Sequence, residues 1–323
     1  MAMETDVLVV GGGLCGCLTA SMLAAEGVDV LVLERGALNG KASGANAGSI
    51  HLQIPYPEFV SLGEDWARDY ARVLPMLRAS VELWRGLSAS LADDIELSIT
   101  GGVIVARTPG QMAAIERKAA IERAAGLSVE MLDRDGLRAL APYVAEDLVG
   151  GAVCPEEGKA SPLRAGPALA ARARSAGARF VEGCEVADIR REGTGFLAAT
   201  GIGPVRAGRV VNAAGADAAR VAAMVGLDLA IEGFAIQASV TEPVAPLVRH
   251  LLYSATGKLT LKQMANGTMI VGGGWPSRPL ADGGLAVDAA SLASNMLAAI
   301  DVVPAMAGVR IVRTWPAIVN GTA

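Results

Sequence analysis

Residues 7–35 read VLVVGGGLCGCLTASMLAAEGVDVLVLER, and this stretch decides the fold. Val7 to Val10 is a short apolar run that stops at glycines, Leu14 to Ala25 has helical character, and Val30 to Leu33 is a second apolar run that ends at Glu34. A strand, helix and strand of this length require a right-handed crossover and a parallel sheet. Such a sheet is covered on both faces, which is why its strands are apolar throughout instead of alternating. Gly11, Gly13 and Gly16 form G-x-G-x-x-G directly after the first strand and at the head of the helix. Gly11 permits the tight turn, Gly13 lets backbone approach a pyrophosphate, and Gly16 lets the helix pack closely. The N–H groups of that helix start, at Leu14, Cys15 and Gly16, then face the phosphates with the helix dipole behind them. Glu34, about 20 residues further on, stands where the fingerprint needs a carboxylate for the ribose hydroxyls, with Arg35 beside it. The same carboxylate repels a 2′-phosphate, so NADP is disfavoured.

Beyond that segment the composition is that of a globular protein. A chain of 323 residues with 52% hydrophobic residues can bury the core of one or two closely packed domains. The net charge of -5 comes without any run of Lys or Arg, which removes the electrostatic footprint of nucleic-acid or anionic-membrane binding. Aromatic residues make up only 4%, which argues against a base-stacking surface. Four cysteines, Cys15, Cys17, Cys154 and Cys184, are too few and too scattered for a disulfide framework and fit a reducing compartment. Cys15 and Cys17 read as small packing residues, and with His51 and His250 the only histidines no metal site is expected. Val7 to Ala25 is long and uncharged enough to raise a membrane span, but an acidic leader (Met1 to Asp6), three mid-segment glycines and Glu26 oppose it. No targeting or transmembrane segment and a cytoplasmic location are the expectation.

Further along, Gly36 to Ser49 is rich in Gly, Ala, Ser and Asn and reads as an ordered loop. Trp66, Tyr70, Val73, Leu74 and Leu77 recur at helical spacing, with Pro75 expected to kink or divide the helix. Gly102 to Ala106 predicts a strand, Gln111 to Ala125 a helix with its charges on one face, and Leu163 to Ala176 another helix. Short strands alternate with glycines from Arg179 to Asn212, and Ala216 to Val225 suggests a helix. Phe234 to Thr241, Leu259 to Gln263 and Met269 to Val271 predict strands of a second sheet.

The fingerprint alone does not separate FAD from NAD. The run Val7 to Arg35, the loop Lys41 to His51 (KASGANAGSIH) and the segment Val210 to Gly215 (VVNAAG) together resemble the FAD-dependent D-amino-acid-oxidase superfamily. Within it the likeness is greatest to the branch of glycine oxidase, sarcosine oxidase and opine or D-hydroxyproline dehydrogenase. The resemblance implies an α/β fold: a FAD-binding Rossmann-like (GR2-type) domain with a discontinuous α+β substrate domain. The expected division is 1–55 and 150–230 for the FAD-binding domain, 56–149 and 231–308 for the substrate domain, and 309–323 for the start of a C-terminal FAD-binding segment.

It also implies flavin contacts from Ser43, Asn46, Ala47, Gly48 and Ser49, an adenine contact from Val186, and a turn closing over the dinucleotide at Ala213, Ala214 and Gly215. His51, just past the flavin loop, and His250 are the candidate catalytic residues, and Lys262 and Gln263 lie where the family places substrate-domain strands over the flavin. The family's W-A-G-L-R-P element reads here Trp315, Pro316, Ala317, Ile318, Val319, Asn320, so valine replaces the arginine that often clamps the substrate carboxylate. Arg313 or Lys262 would have to substitute. The chain stops at Ala323, where the family continues into an Asp-x-x-Pro segment and a closing helix, and a truncated chain is the expectation.

The activity implied is oxidation of the C–N bond of an amino acid or secondary amine, a D-amino acid, an opine or a glycine- or sarcosine-like compound, by hydride transfer to flavin N5. Dioxygen, a quinone or a partner protein would serve as electron acceptor. Two alternatives stand beside it. One is a flavoprotein dehydrogenase of a hydroxy acid or polyol phosphate, whose C–O bond would need His51 or His250 as base. The other is a non-catalytic FAD-binding subunit of a heteromeric dehydrogenase.

Overall fold

The computed structural model describes residues 3–322; Met1, Ala2 and Ala323, at the outer ends of the acidic leader and the C-terminal segment, lie outside the described residues. The valine-rich run opens the chain as a strand, Met3–Val10, paired in parallel with Val30–Leu33 on one side and Gly203–Asn212 on the other. Arg179–Val181 extends this sheet in parallel beyond Val30–Leu33, and Gly195–Thr200 and Val186–Glu192 extend the opposite edge antiparallel, giving six strands among the described residues. Successive side chains of a strand point to opposite faces, and both faces are covered here. Leu8, Val10, Leu31 and Leu33 pack on one side with Val221, while Val7, Val9, Val30 and Val32 pack on the other against Ala20, Ala24 and Ala173. The small residues of the Leu14–Ala25 helix let it lie close to the Pro162–Ser175 helix on that second face.

A second sheet of eight strands, in the order Ile311–Thr322, Ile231–Thr241, Met269–Pro276, Thr260–Gln263, Leu251–Ser254, Gly102–Ala106, Gly150–Cys154 and Glu130–Asp133, is antiparallel except where Leu251–Ser254 meets Gly102–Ala106. The Tyr56–Ala71 and Pro109–Ala124 helices cover part of one face, and Ala289–Val302 packs on the other through Ala299 and Val302. The expected division at Pro75 is present: one helix ends at Ala71 and a second, Leu74–Ser90, begins with the proline in its first turn, where a missing N–H costs nothing.

The predicted helices at Gln111–Ala125 and Leu163–Ala176 appear as Pro109–Ala124 and Pro162–Ser175, and Ala216–Val225 as a 3-10 turn followed by Ala218–Ala223. The Gly36–Ser49 loop contains a one-turn helix, Ala42–Ala45. Two strand placements correct the expected division. Gly150–Cys154, expected to reopen the FAD-binding domain, is an inner strand of the eight-stranded sheet, held by Gly102–Ala106 and Glu130–Asp133 on either side. Ile311–Thr322 is the edge strand of that same sheet, antiparallel to Ile231–Thr241 along nearly its whole length, yet it also touches the Ala42–Ala45 turn beside the six-stranded sheet. The chain crosses between the two sheets here, so the boundary cannot be drawn as a cut in sequence.

Candidate active site

The glycine turn is built as its spacing predicts. Gly11 has φ +111° and a Cβ there would overlap the Ala213 carbonyl oxygen, as a Cβ on Gly16 would overlap the Gly11 carbonyl oxygen, so neither position admits a side chain. A Cβ on Gly13 would crowd Ser43 Oγ, and the Gly13 N–H has no partner among the described residues. Glu34 accepts from the Gly12 N–H (2.8 Å) and the Gly36 N–H (2.7 Å), which fixes its carboxylate over the turn while leaving lone pairs for further donors. Arg35 forms a two-pronged pair with Asp217 at 3.2 and 2.5 Å. A cavity of about 620 Å³ lies above these groups, lined by Gly11, Gly13, Glu34, Arg35, Ser43, Val186, Ala213, Ala214 and Gly215. This cradle fits the ADP part of a dinucleotide: a side-chain-free approach, an unpaired N–H at the helix start and a carboxylate across from it.

Leu14, Cys15 and Gly16 stand outside that lining. Ser43 Oγ takes the Leu14 N–H at 2.9 Å, and the Leu14 side chain packs with Cys17 and Leu169. Cys17 is buried as a packing residue, its thiol pushed up to about 11 chiefly by burial, whereas Cys15 is exposed.

A second cavity of about 550 Å³ adjoins the first, and Ala45 and Ala317 line both. Asn46, Ala47, Gly48 and Ser49 form the wall between, so the loop expected to run towards the flavin ring does reach this space. Its donors are partly spent on the loop itself. Asn46 Nδ2 donates to the Ser43 carbonyl at 2.5 Å and its Oδ1 accepts from the Gly48 N–H at 2.7 Å, while Ser49 Oγ accepts from Lys262 Nζ at 2.5 Å. Trp315 Nε1 donates to the Ala45 carbonyl at 2.7 Å and ties the edge strand to the loop. Val319 lines this second cavity, so the position of the absent arginine does face it.

The remaining predicted residues divide sharply. His51 is on the cavity wall with its side chain exposed to that space; desolvation by the groups packed around it, followed by the Lys262 charge, holds its pKa below the ordinary imidazole range. Lys262 is fully buried beneath Ser49, and burial lowers its pKa to about 7. His250 is a correction: it lies off the cavity, buried, with Nδ1 at 2.8 Å from the Tyr143 hydroxyl. Gln263 is another. It points to the face opposite Lys262, as the alternation of a strand dictates, and its amide is consumed by Leu247, Val248, Val244, Ala245 and Gly267 backbone groups. Arg313 sits exposed on the edge strand away from both cavities and cannot replace the clamp.

Sequence reasoning missed the polar floor of the second cavity. Glu157 Oε1 accepts from the Leu52 and Gln53 N–H groups at 2.6 and 2.8 Å, and its Oε2 accepts from Gln53 Nε2 and the Tyr253 hydroxyl, both at 2.9 Å. Lys118, wholly buried, donates to Glu122 Oε1 at 2.6 Å and Gln53 Oε1 at 3.2 Å. Glu122 Oε2 has no partner, and burial raises that carboxyl despite Lys118. The helix expected to keep its charges on one face buries two of them. The signal is visible in the spacing: Ala114, Ile115, Lys118, Ala119 and Glu122 share one stripe, and all are buried.

Two sheets, a built dinucleotide cradle and an adjoining cavity define a dinucleotide-binding protein with room for a second ligand beside the cofactor. The chain belongs to the DAO family of FAD dependent oxidoreductases, which matches residues 6–320. Among its relatives are the sarcosine oxidase subunit beta of Rhizobium meliloti, 27% identical over 326 residues covering 98% of this chain and 74% of that protein, and the glycine oxidase of Geobacillus kaustophilus, 29% identical over 275 residues covering 84% and 70%. The crystal structure of the latter glycine oxidase superposes with a TM-score of 0.84 at 26% identity, covering 99% of this chain and 84% of that one. FAD is thus the dinucleotide this cradle takes. No helix among the described residues is long and apolar enough to cross a membrane.

Proposed function

We propose that the protein oxidises the C–N bond of an amino acid or secondary amine, of the D-amino-acid, opine or glycine- and sarcosine-like class. The observation that carries this reading is the second cavity: it opens beside the dinucleotide cradle, across the Asn46–Ser49 loop, and is walled by apolar groups with few polar ones. FAD would be held by the glycine turn, Glu34 and the loop at Asn46–Ser49, and would supply the electron acceptor for oxidation of a carbon that bears a neutral amine. The protein's own residues orient the substrate and exclude water. His51 and Gln53 present polar groups to the cavity, and Tyr56, Tyr70 and Ile104 surround it. Of its two cations, Lys118 is committed to Glu122, while Lys258 is exposed and carries no carboxylate partner among the described residues. Lys258 takes over the carboxylate recognition that Val319 cannot perform. Lys258→Met should raise KM for carboxylate substrates about tenfold with kcat changed much less.

The test of the reaction is the visible spectrum of the FAD-loaded protein under anaerobic conditions, with D-amino acids, N-methyl amino acids, opines and hydroxy acids added in turn. Bleaching by an amine supports C–N oxidation; bleaching by hydroxy acids alone overturns it in favour of C–O chemistry. The relative named as a sarcosine oxidase subunit supports a second reading, in which the chain works inside a heteromeric dehydrogenase. Turnover that appears only when a partner chain is added would establish that reading.

A further inference from the structure

The two ring nitrogens of His51 are in different situations. Nδ1 is 2.7 Å from the Tyr253 hydroxyl, and Nε2 has no partner among the described residues on a side chain that lines the second cavity. Tyr253 has one proton, and it goes to Glu157 Oε2 at 2.9 Å. Glu157 cannot return it, because its oxygens already accept from the Leu52 N–H, the Gln53 N–H and Gln53 Nε2. Burial and Glu157 hold the Tyr253 hydroxyl well above its ordinary pKa, so the phenol stays protonated. The tyrosine oxygen must therefore accept from His51, and the ring proton resides on Nδ1. The ring is neutral at ordinary pH, so its other nitrogen carries a bare lone pair.

We propose that Glu157 and Tyr253 are positioning residues that lock His51 in its Nδ1–H tautomer, so that Nε2 accepts a hydrogen bond from the substrate amine N–H. The inference rests on the proposed function for the identity of the donor, while the tautomer follows from the Glu157–Tyr253–His51 chain alone. It gives the site a selective element: the nitrogen about to be oxidised is recognised by an acceptor, and an isostere without a hydrogen to donate leaves that acceptor unmatched.

Nitrogen NMR of the FAD-loaded 323-residue chain labelled in histidine reads the tautomer directly, since only His51 and His250 contribute and His250→Gln assigns the pair. The expected wild-type result is Nδ1–H for His51, with conversion towards Nε2–H in Tyr253→Phe. Nε2–H in the wild type overturns the proposal without touching the proposed function. The second measurement is the perturbation of the flavin spectrum on titration with N-methylglycine and with methoxyacetate, which keeps the carboxylate but lacks the N–H. Tyr253→Phe should weaken N-methylglycine about tenfold and leave methoxyacetate unchanged. Equal weakening of both reduces Tyr253 to packing and overturns the positioning role. The Nδ1–H tautomer without any amine binding overturns the assigned donor, and with it the proposed function.

Discussion

Lys118 and Glu122 illustrate how a buried pair behaves. Each charge loses its hydration, and their contact offsets that loss only while both remain. Glu122 Oε2 is already without a partner, so removing the lysine leaves an uncompensated carboxylate in a buried site. Lys118→Met should cost about 3–5 kcal/mol in urea unfolding, and the double variant Lys118→Met with Glu122→Leu should regain most of it. Equal instability of the single and double variants would show that packing, and not charge pairing, sets the cost. At the cradle the decisive residue is Gly16. Even Gly16→Ala places a Cβ against the Gly11 carbonyl oxygen, and this variant should purify with little or no bound flavin, measured as visible absorbance per protein.

The Pro109–Ala124 helix carries both members of that pair, and its start is well specified. Thr108 Oγ1 accepts from the Gln111 N–H at 3.2 Å, and Gln111 Oε1 reaches back to the Thr108 N–H at 3.1 Å, a capping box with Pro109 in the first turn. Thr108→Ala should lower stability by about 1 kcal/mol and leave the flavin spectrum unaltered. A change in the spectrum would mean that the helix start is coupled to the flavin site. The edge strand Ile311–Thr322 works differently. Trp315 on the Ala45 carbonyl and Ala317 on both cavities make it the seam between the two sheets.

At the scale of the molecule, the two sheets bury Lys262 under the flavin loop, where its pKa falls from 10.5 to about 7 through desolvation. Between those values the unfolded chain holds a proton that the folded chain has released, so stability rises with pH across this window and the full penalty is present at pH 7 and below. Lys262→Met abolishes the titration. Denaturant unfolding of the flavin-free protein should show the variant gaining on the wild type as pH falls from 10.5 to 7, by a few kcal/mol, and then running parallel to it. Parallel curves throughout would mean that water reaches the ammonium.

What the sequence determined by itself is the dinucleotide half: the apolar runs at 7–10 and 30–33, the glycine turn and Glu34 are adjacent in the chain, and their chemistry is local enough to be read from spacing. The resemblance extended that reading to the Asn46–Ser49 loop and to Val319, both of which face the second cavity. Only the tertiary structure decided how that cavity is furnished. Gln53, Lys118, Glu157 and Tyr253 come from four separate segments of the chain, and apart from the buried stripe that holds Lys118 nothing near them in sequence marks them as polar floor instead of solvated surface. His51 and His250 look equivalent in sequence, yet the closing of two sheets puts one at the cavity and the other away from it, while the pleat of one strand sends the neighbours Lys262 and Gln263 to opposite faces, one under Ser49 and the other into backbone contacts. Local periodicity specifies which face of an element is buried; which groups meet there depends on contacts between distant segments that form only when the chain has folded.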